Sequence, residues 1–129
     1  LIEFDSFKEV VTVGGATVYK AYIMNDMLQA EYGIDKNGEI SHFAVLALFT
    51  DKKETEEKSK LIGKWAARVY SITQPGASPE KALKTLLVLL QQAANAGEAV
   101  HAEGGHIYQI NTGDFAGIEA VVFVYKPNK

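Results

Sequence analysis

The densest cluster of chemistry-bearing residues in the chain is His101-Ala102-Glu103-Gly104-Gly105-His106. Two imidazoles and a carboxylate within six residues offer the nitrogen and oxygen donors that hold Zn²⁺ or a similar divalent ion. On a strand His101 and Glu103 share one face, and the two glycines allow His106 to fold back toward them. The spacing matches no established metalloenzyme motif, and the His-x-x-x-His of a helical zinc site is absent. The competing reading is three polar residues at the exposed start of a hairpin.

Other candidate constellations weaken when their spacing is tested. Asp35-Lys36-Asn37-Gly38-Glu39-Ile40-Ser41 has the composition of the middle of a calcium loop. Setting Gly38 at the loop's invariant glycine, however, puts Gly33 and Ala44 where its first and last ligands belong, so the segment reads as a hairpin turn. Gly14-Gly15 and Gly104-Gly105 lack the following Lys-Ser/Thr pair and the helix start of a phosphate cradle. No Gly-x-Ser-x-Gly surrounds any serine, and His42 beside Ser41 reads as a strand residue, not a base. Glu54, Glu56 and Glu57 belong to a charged run, and Asp114 and Glu119 flank a turn. None is embedded in the apolar sequence that raises a carboxyl pKa. Tyr19, Tyr22 and Tyr32, with Phe4 and Phe7, fall in N-terminal strands and are candidates for an aromatic partner surface. Trp65, Tyr70, Tyr108 and Tyr125 read as core or core edge.

Composition narrows the classes. The chain has 129 residues, of which 47% are hydrophobic and 22% charged, which fits a single globular domain spanning 1–129. Sixteen acidic residues outnumber thirteen basic ones, so no electrostatic case exists for nucleic acid. Without cysteine there are no disulfides, thiol nucleophiles or thiolate metal sites. No apolar run approaches the ~18 residues of a membrane span. The first residue is Leu1 and not Met, from which a trimmed start and an exported, periplasmic location are expected ahead of a cytoplasmic one.

The elements that must position these residues are marked by periodicity. Ser78 to Gly97 is a capped helix, with Ser78 at its N-cap, Pro79 at the first helical position and Gly97 as its stop. Ala82, Leu83, Leu86, Leu87, Leu90, Ala93 and Ala94 make one wide apolar face, which predicts a largely buried helix. A preceding helix has Asp51 and Glu54 at capping-box spacing and a solvated charged start, DKKETEEKSK. Its buried face is Leu61, Ile62, Trp65, Ala66, Val69 and Tyr70.

Strands flank the pair. Val10–Val13 and Ala16–Met24 are joined at Gly14-Gly15, and a strand ending at Ile34 turns at 35–38 into Glu39–Thr50. Downstream, Glu98–Glu103 leads into His106–Ile110, and Ile118–Tyr125 follows. FAVLALF (43–49) and AVVFVY (120–125) are apolar on both faces and mark central strands. Strands, two helices, then strands predict an α+β fold. Its sheet is mainly antiparallel, of about five or six strands, with an antiparallel helix pair on one face. The other face then needs cover, from sheet curvature, an upstream segment or a second copy in a homodimer. The expected function is a non-catalytic binding or protein-interaction domain, such as an exported bacterial accessory or immunity-type protein. The alternative is a metal-binding protein or metal-dependent enzyme using His101, Glu103 and His106.

Overall fold

Short alternating segments pair with the segment next in sequence wherever a tight turn joins them, and that rule builds most of this molecule. The computed structural model describes residues 8–13, 16–23, 28–49, 52–115 and 117–128; the side chains at 8–11, 13, 16, 21–23, 49, 52–57 and 115 stand outside that description. Four strands come first: β1 (Lys8–Val13), β2 (Ala16–Ile23), β3 (Leu28–Ile34) and β4 (Ile40–Phe49). Helices α1 (Lys52–Thr73) and α2 (Pro79–Ala96) follow, and then β5 (Glu98–Glu103), β6 (His106–Phe115) and β7 (Ile118–Pro127). They form one seven-stranded sheet in the order β1-β2-β3-β4-β7-β6-β5, every neighbouring pair antiparallel. The α+β class, the element order and the helix pair on one face are those the patterning predicts. The sheet is one strand wider than the upper expectation because Glu98–Glu103 is a full edge strand. The readings at Leu1–Phe7, Gly14-Gly15, Asn25 and Asp51 lie outside the described residues.

The two apolar runs lie side by side. Phe43 pairs with Tyr125, Val45 with Phe123 and Ala47 with Val121. The register also aligns one residue per strand in rows across the sheet. From β2 to β5 one row is Tyr19, Tyr32, Phe43, Tyr125, Tyr108 and His101, aromatic or imidazole on each of these six strands. The helices pack on the face that carries this row, α1 over β4 and β7, α2 over β5 and β6. Between the layers lie Leu28, Val45, Ile62, Tyr70, Leu86, Leu89, Tyr108, Ile110 and Phe123, all buried.

The caps of α2 are as its sequence requires. Ser78 Oγ accepts from Lys81 N at 3.1 Å, and Gly97 takes a left-handed φ of 84° while its N–H closes on the Ala93 carbonyl. Its buried stripe differs from expectation. Ala82, Leu86, Leu89 and Ala93 are buried, whereas Leu83, Leu87 and Val88 are about half exposed. Among the described residues the helix packs mainly against α1 and the β5–β6 edge, and these contact a narrower arc than its apolar residues span. Lys58, in the run read as solvated, is also buried; its Nζ donates to the Leu48 carbonyl at 2.5 Å.

Truncation separates the stripes. Leu86→Ala and Leu89→Ala should each cost about 2–5 kcal/mol in denaturant unfolding. Leu83→Ala and Leu87→Ala should stay within about 0.5 kcal/mol of the parent. Equal losses at all four positions would contradict the burial described.

Candidate functional site

The aromatic row ends in a polar cluster where the β5–β6 turn meets the α1–α2 connection. Gly104 and Gly105, at φ 59° and 82°, make the left-handed turn that places Glu103 opposite His106 and His101 opposite Tyr108. Tyr70 and Thr73 at the end of α1, and Gln74 just after it, recur at one-turn spacing and so reach down onto this hairpin together. From α2, Lys81 reaches the same place.

Glu103 is the hub. Its carboxylate accepts the Tyr70 hydroxyl at 2.8 and 3.0 Å, contacts His101 Nε2 at 2.9 Å and accepts from Lys81 Nζ at 3.2 Å. The His101 and Tyr70 hydrogen bonds, in that order, hold its pKa down at about 2, against burial, which raises it; Lys81 adds to the lowering. The Tyr70 hydroxyl is pushed up by its own burial first and by the adjoining carboxylate second. Lys81 is raised by its hydrogen bond to Glu103.

A second tier holds the hub in place. Gln74 Nε2 donates to the Glu103 backbone carbonyl at 2.7 Å and to the Tyr108 hydroxyl at 3.1 Å, and Thr73 Oγ1 shares a 2.5 Å hydrogen bond with that hydroxyl. His106 Nδ1 lies 2.7 Å from the Tyr125 hydroxyl, whose pKa burial raises. The rings of Tyr70, His101, Tyr108 and Tyr125 stack and tilt against one another with centroids 5.2–6.4 Å apart.

His101 and Glu103 are therefore brought into contact, while His106 shares their sheet face but is engaged by Tyr125. Among the described residues no three His, Asp or Glu side chains form a metal-holding group. A cation at Glu103 would have to displace the Lys81 ammonium and the Tyr70 hydroxyl. As it stands the carboxylate is a fixed, donor-saturated charge and not a group poised to exchange protons. Because Nε2 of His101 faces a carboxylate, it carries a proton, and Nδ1 is the ring nitrogen left for other contacts.

The tyrosine surface divides. Tyr19 and Tyr32 stack at 5.0 Å with planes 15° apart. Their strand pair lies beyond the strands on which the helices mainly pack. Tyr22 pairs with Gln29 in the ladder, and its side chain lies outside the described residues. The 35–39 segment is a hairpin turn. Asp35 Oδ1 accepts from the amides of Asn37 and Glu39, which occupies the oxygen a calcium ion would need. Spacing along the chain does not join Tyr70, Gln74 and Lys81 to the site; one-turn periodicity in α1 is the one signal that points toward it. No protein-family model matches the chain, and no curated protein or solved structure is detectably similar to it.

The hub makes stability acid-sensitive. Glu103 has an ordinary value of 4.5 and sits at about 2 when folded. Its contribution is thus complete above about pH 4.5 and is lost as pH falls toward 2. Allowing for its partial exposure, the contribution is on the order of 1–2 kcal/mol. Glu103→Gln should flatten that acid limb. Tyr70→Phe should cost about 1 kcal/mol and move the limb to higher pH, because a donor to the carboxylate is gone. Urea unfolding between pH 2 and 6 reads both, and identical pH profiles for parent and variants would remove the hub role.

Proposed function

We propose that the chain is a protein-interaction domain whose partner covers the sheet face opposite the helices. One observation carries this. On that face the central strands β4 and β7 present Ala44, Leu46, Leu48, Ala120, Val122 and Val124, an apolar run bounded by His42 on β4 and Lys126 on β7, with neither helix packed there. Leu48 is 38% exposed, Ala120 is buried and the others are half-buried. Polar clusters frame the strip. On one side Glu31 meets His42 Nε2 at 3.3 Å and Lys20 at 4.0 Å. On the other Gln109 donates to Glu98 and Asn111 at 2.9 and 3.0 Å. An apolar centre within a polar rim is the anatomy of a protein interface. The partner is a second copy of the chain or a different protein that offers an apolar face of its own.

Metal binding by His101, Glu103 and His106 is the second reading. The 2.9 Å approach of His101 to Glu103 on one strand face supports it, and the Lys81 ammonium on the same carboxylate opposes it.

Light scattering over a concentration series should find the native protein dimeric, or co-purifying with a second chain, at micromolar affinity or tighter. Leu46→Glu should return it to a monomer with an unchanged circular-dichroism spectrum. A native protein that is monomeric throughout, with no co-purifying chain, sinks the interaction reading. For the metal, elemental analysis is decisive: stoichiometric metal that is lost in His101→Ala would put the second reading first.

A further inference from the structure

A cleft of about 300 Å³ opens on the far side of His101, and its lining identifies where it runs. Lys84, Thr85, Val88, Leu89 and Gln92 are one stripe of α2 at helical spacing. The opposite wall is Val100 and His101, consecutive residues of β5. Consecutive strand side chains point to opposite sheet faces, so both can line one cleft only if it follows the edge of the strand. β5 is the outermost strand of the sheet, and its outward backbone amides and carbonyls have no ladder partner among the described residues. The cleft is a helix-flanked sheet edge.

Such an edge has the shape into which an extended peptide adds as a further strand. The free backbone groups supply the hydrogen bonds, and the helix stripe supplies contacts for alternate side chains. Charge selects among peptides. No carboxylate lines the cleft, whereas Lys84 does, and it makes no ion pair among the described residues. His101 lines the same wall, with its Nε2 held by Glu103. The neighbouring carboxylate of Glu103 is already matched by Lys81. Val88 and Val100, about half exposed, complete the apolar part.

We infer that the cleft between α2 and β5 binds an extended acidic peptide, which joins the sheet as a strand beside β5. This site lies at the sheet edge and is separate from the strip on β4 and β7, so either stands or falls without the other.

Selection from a display library of random peptides of about a dozen residues on the intact protein tests it. Enriched peptides should carry acidic residues among alternating β-branched ones. Their binding should fall at least roughly tenfold on Lys84→Glu, and likewise on Val88→Trp, which fills the cleft from an exposed position. N-methylation of alternate peptide amides in one of the two registers should abolish binding, because only a strand-like complex uses those N–H groups. Circular dichroism of both variants checks that they fold. The inference is overturned if no peptide enriches above the Val88→Trp control. It is equally overturned if the enriched peptides lack an acidic bias or tolerate N-methylation in both registers.

Discussion

The antiparallel pairing of β4 with β7 is the contact on which the rest of the structure depends. It joins two apolar runs from either side of the helix pair, 70 or more positions apart along the chain, and aligns Phe43 with Tyr125 and Val45 with Phe123. Once that register is set, each further strand is added by a local turn: β3, β2 and β1 on one flank, β6 and β5 on the other. A one-residue slip would turn either Val45 or Phe123 out of the core and break the row from Tyr19 to His101. The helices are bound by the same constraint, because the chain leaving β4 must travel over one face to reach β5 at the far edge.

That crossing explains the polar cluster. The end of α1 arrives above the β5–β6 hairpin, where Tyr70 and Tyr108 are too large to leave exposed and carry hydroxyls too polar to bury alone. Glu103, Gln74 and Thr73 satisfy them. Among the described residues no buried side-chain nitrogen or oxygen is left without a partner. The charge of Glu103 is held by a hydroxyl, an imidazole and an ammonium. The cluster thus ties helix to sheet by hydrogen bonds that hydrophobic packing alone does not provide.

A single helix layer cannot cover a sheet whose central strands are apolar on both faces. Leu46, Leu48, Val122 and Val124 are the consequence on one side, and the edge of β5 beside α2, without a strand partner among the described residues, lies at the end of the sheet. Both surfaces arise from the topology: the helix pair is long enough to roof four strands, and the sheet has seven.

Local physics makes much of this legible in the order of the amino acids. Ser78, Pro79 and Gly97 delimit α2 because caps act within one turn. FAVLALF and AVVFVY declare central strands because both faces are apolar, and 35–38 is a turn because Asp35 and Gly38 make one. The placing of His101 and Glu103 on one face follows from strand alternation alone. Periodicity cannot say that Leu83 and Leu87 stay exposed while Leu89 is buried, since that depends on how wide an arc α1 and the sheet occupy. Nor can it bring Tyr70, Gln74 and Lys81 to Glu103, or turn His106 to Tyr125. The contacts to Glu103 join residues 22 to 33 positions apart in three elements. Elements, caps and fold class are thus written in the chain itself, because caps and alternation are encoded within a turn or a strand. Which polar groups meet and which apolar face the helices leave uncovered are tertiary outcomes, because partners and cover come from the register and from the route of the helices across the sheet.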